Sequence, residues 1–326
     1  TGQSLIERLL DEWPDLLCDA RIGWGTGRGR IMNSAGIDEA YEQTSYYCSL
    51  GAQLIRGTDM LNIWTGSSSS HVLEENELDR LLQTVRRSLR WSENIAKATP
   101  STGDIPVIFT PRGFAATLLH PLLSGFNGKN VVNESSPLCE RWGEKIVDEN
   151  ISVYDNPLIG GASGSRPFDD EGVASTKTAL IENGIAGQPL LDLQTAGQLG
   201  KLSTGAAGRG LATTPSPSSS VIDVAAGDTH FEDMIASIKE GLIVEELLGA
   251  GQGNELGGDF RANVSLGYRI ANGEIVGRVK DTMVSGNVYS VLSQVEYIGD
   301  SPEWIFGSLR SPAIQCRGVE VATKSE

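Results

Sequence analysis

The clearest hydrophobic pattern in the chain lies in residues 76–97, where Leu78, Leu81, Leu82, Val85 and Leu89 fall at i, i+3, i+4, i+7 and i+11. That spacing predicts a helix with one apolar stripe. ATPSTGD (98–104) supplies the Pro and Gly that end it, and IPVIFT (105–110) reads as a buried strand. A domain boundary is expected at this loop, with an N-terminal domain over 1–98 and a larger one over 104–326. Upstream, YEQTSYYCSLGAQLI (41–55) is rich in β-formers and predicts a hairpin or meander, while GSSSS (66–70) reads as a flexible polar loop.

Downstream, TALIENGIAGQPLLDL (178–193) and GYRIANGEIVGRVK (267–280) share one pattern: β-prone run, Asn-Gly, β-prone run. Asn183-Gly184 and Asn272-Gly273 suit the positive φ values of a type I′ turn, so two hairpins are expected, with an internal duplication as one origin of the likeness. THFEDMIASIKEGL (229–242) places Thr229 and Glu232 at capping-box spacing, ahead of an apolar face of Phe231, Met234, Ile235 and Ile238. ATTPSPSSS (212–220) is too rich in Pro and Ser for regular structure and reads as an exposed loop. The fold class is α+β: an N-terminal α/β portion, then a larger, mostly antiparallel β domain, barrel- or sandwich-like, with a few helices.

Composition narrows the function. The 326 residues carry 26 basic and 42 acidic side chains, a formal net charge of −16, which argues against a direct nucleic-acid binder. The basic run RRSLR (86–90) is read as the solvated face of the helix. No apolar run approaches the ~20 residues of a membrane helix. TGQSLIERLLDEWPDLL has acids where a signal peptide needs bases, and begins without Met, as a fragment or processed product would. Cys18, Cys48, Cys139 and Cys316 are scattered, with no C-x-x-C pair, and read as reduced thiols of a cytosolic protein.

Candidate chemistry is sparse. The glycine runs STGAAGRG (203–210) and GAGQGNELGG (249–258) lack the strand-before, helix-after context of a nucleotide loop, and in GFNGKN (125–130) Gly128-Lys129 is followed by Asn130. GGASGSR (160–166) fails the nucleophile-elbow pattern at Ser165. SRPFDDEG (165–172) gathers Arg166, Asp169, Asp170 and Glu171, either a polar site with an arginine among carboxylates or a solvated turn with a local ion pair. The chain has three histidines, His71, His120 and His230. A helical zinc-peptidase motif needs two histidines and a glutamate on adjacent turns. After His120 comes Pro121, which in a helix would lack the amide bonding back to Thr117, and Ser124 and Gly125 follow. A lone histidine of this kind reads as a packed residue.

The ordered blocks LLHPLL (118–123), YDNPLIGGASGSRPFDDEG (154–172), LIENG (180–184), STGAAGRG (203–210), the acidic helix after AAGDT (225–229) and GDFRANVSLGYRIANGEIVGRVKDTMVSGNVY (258–289) resemble the TldD/PmbA family. The resemblance runs from about Tyr41 to Cys316. That family is known as modulators of DNA gyrase and as microcin-processing, peptidase-related proteins. The resemblance implies a cytosolic heterodimer of two paralogues that degrades or trims unfolded peptides. The TldD-like subunit carries an H-E-x-x-x-H motif for the catalytic metal.

This chain matches that motif at His120 alone, with Pro121 for the glutamate and Gly125 for the second histidine, as in the PmbA (TldE) branch. The resemblance therefore implies a degenerate metal position at His120, no catalytic residue, no resident metal, and Cys316 near the family's C-terminal ligand region without a motif match. It also implies a longer N-terminal region than this chain offers. The expected function is a non-catalytic subunit of a cytosolic metallopeptidase complex. Its partner would be a TldD-like paralogue, or a second copy, and its ligands unfolded peptides, with no nucleic acid or membrane involved. The alternatives are a zinc peptidase in its own right, drawing on His120, Cys139, His230, Cys316 and the 169–171 carboxylates, or a regulatory protein-binding partner acting on gyrase or a toxin–antitoxin pair.

Overall fold

The structure, a computed structural model, describes residues 2–249 and 253–324. Three long antiparallel strands, β1 (Leu17–Met32), β2 (Asp38–Arg56) and β3 (Asp59–Ser69), form the N-terminal sheet in that order. The predicted meander is present. Alternation along β2 and β3 places Cys48, Leu50, Ala52, Leu61 and Ile63 on one face, where helices α1 (Gly2–Leu10) and α2 (Glu75–Trp91) cover them. The serine run at 66–70 is not a loop. Ser67, Ser68 and Ser69 pair with Cys48, Tyr47 and Tyr46, and Ser69 is buried with its hydroxyl donating to the Gly161 carbonyl at 2.9 Å. The length of β2 carries the ladder through residues whose own propensity points elsewhere.

The predicted helix over 76–97 is α2, shorter at its C-terminal end. Leu81, Leu82, Val85 and Leu89 form its buried stripe, and Glu77 Oε2 accepts the Glu74 N–H at 2.8 Å to close its first turn. The solvated-face reading of 86–90 is corrected. Arg86 pairs with Glu12 and Arg87 with Glu245, both half-buried, while Ser88 and Leu89 are buried and Arg90 alone is exposed. Two long guanidinium stems run along the helix to reach carboxylates on other elements.

Beneath α2 lies a ten-stranded sheet. Its spatial order runs through Val295–Ile298, Ile314–Cys316, Val107–Phe109, Glu240–Leu248, Asp259–Ala271, Thr282–Asn287, Glu320–Thr323 and Ser101–Thr102, with Glu274–Val279 branching from Asp259–Ala271 and Ile95–Ala96 pairing with that branch. Most neighbours are antiparallel; Val107–Phe109 runs parallel to Glu240–Leu248. This sheet is buried on both faces, which is why IPVIFT reads as a continuous apolar run. Ile108, Ile243, Tyr268 and Ile270 face the core shared with α1, α2 and the N-terminal sheet. Val107, Phe109, Leu242 and Val244 face a second core, closed by the helices of 111–126 and by a six-stranded sheet. The order there is Glu303–Ile305, Leu309–Ser311, Ile222–Val224, Val153–Asp155, Thr178–Glu182, Ile185–Ala186. The fold is α+β, as the pattern predicted.

Both Asn-Gly turns form with positive φ at each residue: 50° and 77° at Asn183 and Gly184, 52° and 80° at Asn272 and Gly273. The hairpins they close lie in different sheets. The capping box at Thr229 does not form. The Thr229 backbone is tied to Ile298 and Asp300, so helix Phe231–Ala236 starts one residue later, with His230 at its N-cap. Met234 and Ile235, in that helix, and Ile238 beyond it are buried as expected. Within 212–220, Ser216–Pro217 makes a two-residue bridge to Ala207–Gly208. All four cysteines are free thiols; Cys48 and Cys316 are buried, Cys18 and Cys139 half-buried. Among the described residues no helix is long and apolar enough to cross a membrane.

Candidate functional site

His120 opens the last part of a helical segment that changes winding twice. Thr110 caps it, its hydroxyl accepting the Gly113 N–H at 3.2 Å, and Pro111 occupies the first helical position, where no N–H is needed. A short helix α3 (Pro111–Phe114) leads into a π-wound stretch, Ala115–Leu119, and then helix α4 (His120–Phe126). Pro121 does not break the helix: the wide turn immediately before it accommodates the missing amide bond and the crowding ring. Leu118, Leu122 and Phe126, four residues apart, are buried. His120 points the other way. It is 74% exposed, with Nδ1 3.4 Å from Glu255 Oε2, a surface pair worth under ~1 kcal/mol.

The other two motif positions do not supply ligands. Pro121 is buried and offers no carboxylate. Gly125 is buried against the helix Val288–Leu292, and a Cβ at Gly125 would overlap Tyr289 Oη. Tyr289 is fixed there from its own backbone, since the Asn287 side chain accepts its N–H at 3.1 Å. Its buried hydroxyl has no partner among the described residues, and burial pushes its pKa up. Cys316 lies in mid-sheet between Val107 and Val295, fully buried, its thiol donating to the Val107 carbonyl at 3.7 Å. Burial raises the pKa of this thiol, opposing the thiolate a metal would need. Among the described residues no three His, Cys, Asp or Glu side chains converge as a metal site. The residues at the motif positions therefore do not fit a catalytic metal.

The 166–171 cluster is spent on the loop itself. Asp169, 1% exposed, accepts the N–H groups of Glu171, Val173 and Ala207, each at 2.9 Å. Asp170 accepts from Arg209 N at 2.8 Å and Glu171 from Leu193 N at 2.7 Å. Arg166 makes no ion pair with these carboxylates among the described residues; its Nε donates to Ser220 Oγ at 3.1 Å, and its charge faces Asp155. The segment also holds the tip of the β1–β2 hairpin, through Tyr41 against Phe168 (ring centroids 5.4 Å apart) and Ile31 and Ile37 against Gly172. Of the remaining candidates, His71 lies 3.5 Å from Glu77 and His230 pairs with Asp300. The Cys139 thiol donates to the Val131 carbonyl at 3.6 Å. The glycine run 249–258 lies partly outside the described residues.

A feature the sequence reading missed is a cleft of about 530 Å³ between α2 and the Glu303–Ile305 strand. Its floor is made by a β-bulge. Glu245 is the extra residue between Val244 and Glu246, each paired to the neighbouring strand. The bulge lets two consecutive glutamates meet arginines: Glu245 accepts from Arg87 Nη2 at 3.1 Å, and Glu246 pairs with Arg112. Burial raises the pKa of Glu246, with Arg112 opposing it. Arg87 also stacks over Trp91 and Phe231, 5.1 and 6.0 Å from the ring centroids. The available signal was the Glu-Glu pair ending the apolar run GLIVEELL, together with Glu77, Arg80, Thr84 and Arg87 along one line of α2.

A model of the PmbA/TldA metallopeptidase C-terminal domain matches residues 102–323. An uncharacterised protein of Methanocaldococcus jannaschii is 28% identical over 295 residues, covering 90% of this chain and 66% of that protein. The metalloprotease PmbA of Escherichia coli O157:H7 is 30% identical over 203 residues, covering 62% of this chain and 42% of PmbA. The chain thus spans about two fifths to two thirds of these relatives. TldE from Thermococcus kodakarensis shares the fold, with a TM-score of 0.85 over 98% of this chain and 72% of that one, at 24% identity. By its match over residues 102–323 the chain belongs to the PmbA/TldD metallopeptidase family.

Proposed function

We propose that this chain is a PmbA-like, non-catalytic subunit of a cytoplasmic TldD/PmbA-type metallopeptidase complex. Its work is to hold an extended, unfolded peptide for a metal-bearing, TldD-like paralogue. The observation that carries the reading is the packing of Tyr289 against Gly125. The second-histidine position of the motif is filled by a phenol from another helix, and the glutamate position by a buried proline. The close packing of Tyr289 and Leu138 on Gly125 supports the reading, since it leaves no room for a ligand side chain at that position. Family membership supplies the peptidase context.

Strand edges suit the peptide-holding role, since an extended segment can add as a further strand and gain main-chain hydrogen bonds without regard to its sequence. The test is reconstitution. Peptide hydrolysis by the metal-bearing paralogue is measured with and without this chain. The reading expects hydrolysis to depend on its presence, and to survive His120→Ala in it. Hydrolysis by the paralogue alone at the full rate would overturn the subunit role.

A further inference from the structure

Three features outside the metal motif were candidates for a binding role: the relay Ser69–His71–Glu77, the pair His230–Asp300, and the cleft floored by Glu245. Ser69 is 4% exposed and already donates to the Gly161 carbonyl, so the relay has no accessible nucleophile. The pair His230–Asp300 lies on the rim of a smaller hollow of about 230 Å³ that continues the cleft, sharing Arg87, Thr110, Pro111, Ser301 and Glu303 with it. The cleft and hollow together form one trough.

One wall of the trough is the polar side of α2. The other is the Glu303–Ile305 strand, which pairs on one side only, with Leu309–Ser311, and forms the edge of the six-stranded sheet. Its other edge has no strand partner among the described residues. At about 3.3 Å per residue an extended peptide laid along that edge would pass several side chains through the trough. An aromatic platform stands at one end, where Trp64 and Phe306 lie 5.4 Å apart.

The charges are unequal. Five acidic side chains, Glu77, Glu232, Glu245, Asp300 and Glu303, line the trough against three arginines. Two of the acids are incompletely matched. Glu245 is 1% exposed, and while its Oε1 takes the Arg87 guanidinium, its Oε2 has no hydrogen-bond partner among the described residues. A buried carboxylate oxygen without a donor is costly, and Glu245 is a lining residue of the trough. Glu303 forms no ion pair among the described residues and sits on this edge strand as an exposed residue. A donor-rich cation placed between the two would meet both needs at once.

We infer that this trough binds an extended peptide which pairs with the unpaired edge of the Glu303–Ile305 strand and seats a lysine or arginine side chain between Glu303 and Glu245. The inference rests on the peptide-holding reading above and deepens it, by giving the site and the side chain it selects. The basic group replaces its hydration shell with charge-assisted hydrogen bonds to two carboxylates. The main-chain pairing fixes the direction and register of the peptide.

The test is fluorescence anisotropy of the full chain with labelled, end-blocked octapeptides of Gly, Ser and Val carrying one central residue. That residue is lysine, acetyl-lysine or glutamate, and a fourth peptide has the lysine with alternate backbone amides N-methylated. The lysine peptide is expected to bind at least about tenfold more tightly than the acetyl-lysine and glutamate peptides, a difference of one factor of ten in Kd. N-methylation is expected to weaken it by a similar factor. In Glu303→Gln, a change at a solvent-reached side chain, the lysine preference is expected to vanish while circular dichroism stays that of the parent.

Equal affinity for lysine and acetyl-lysine, a preference untouched by Glu303→Gln, or no binding of any of the four peptides would overturn the inference. These outcomes leave the subunit role separable. A chain that binds none of the peptides yet is required for the paralogue's hydrolysis loses the trough and keeps the role. A lysine-selective chain that hydrolysis does not require keeps the trough and loses the role.

Discussion

Tyr289 and Gly125 share one packing site: the phenolic oxygen of the first occupies the space into which any side chain on the second would project. Gly125→His is therefore expected to destabilise the chain by about 3 kcal/mol, at the upper end of what overpacking a core costs. Tyr289→Ala on its own leaves a cavity and is destabilising too. The two together are expected to be less damaging than the sum of the single changes, because each removes the other's conflict. Urea unfolding of the four members of the cycle reads this directly, and strict additivity would contradict the shared site.

The link between α2 and the ten-stranded sheet offers a second check. Arg87 is the partner of Glu245, which is 1% exposed. Arg87→Met leaves a buried carboxylate without its counter-charge, and the expected loss is on the order of 3 kcal/mol. Adding Glu245→Leu removes that stranded charge and is expected to restore most of the stability. Chemical denaturation of the single and double variants distinguishes this from a simple loss of helix packing, which the second change would not repair.

Two carboxylates give opposite signs with pH. Asp59 accepts hydrogen bonds from Arg278 and Lys280, at 2.7 and 2.9 Å, and these hold its carboxyl below the ordinary range. Its contribution is fully present above its unfolded value of about 4 and is lost as pH falls through the lower folded value. Asp59→Asn should thus lower the melting temperature at pH 7 and flatten its decline below about pH 4.

Glu303 behaves in reverse. Solvent reaches the residue, but the cleft around it desolvates its carboxyl in part and raises it, with the nearby Arg87 opposing the shift. Its contribution is complete below about pH 4.3, the unfolded value, and is lost as pH rises through the raised folded value. Glu303→Gln is expected to leave stability unchanged in acid and to increase it at pH 7. Melting curves of both variants from pH 2 to 7, spanning about 5 units, would show the two slopes diverging from the parent in opposite directions.

Much of the fold was legible in the sequence, for reasons that particular residues make plain. Leu81, Leu82, Val85 and Leu89 are the buried stripe of α2 because helical spacing and burial coincide there. Asn183-Gly184 and Asn272-Gly273 mark turns because few other residue pairs accept positive φ twice in succession. The serine run at 66–70 misled because its strand is imposed by pairing with β2, a long-range effect that local composition does not carry. Thr229 misled because Ile298 and Asp300, far along the chain, hold its backbone outside the helix.

The candidate site was legible only as a loss. Pro121 and Gly125 stand in the sequence, but the reason Gly125 must be glycine resides in Tyr289, and nothing in the local pattern joins the two. The cleft was hidden for a similar reason. Arg87 looked like one more charge on a helix surface, while its partner is the bulged residue of a strand more than a hundred positions away.

The central claim is that this chain holds peptide without carrying the metal that cuts it, and zinc content tests it most directly. The full chain is purified without chelators, dialysed against zinc at pH 7, freed of excess metal and assayed by mass spectrometry. The account predicts less than about a tenth of an equivalent per chain, unchanged in His120→Ala. About one equivalent, lost in His120→Ala and on acidification as the ligands take up protons, would contradict it.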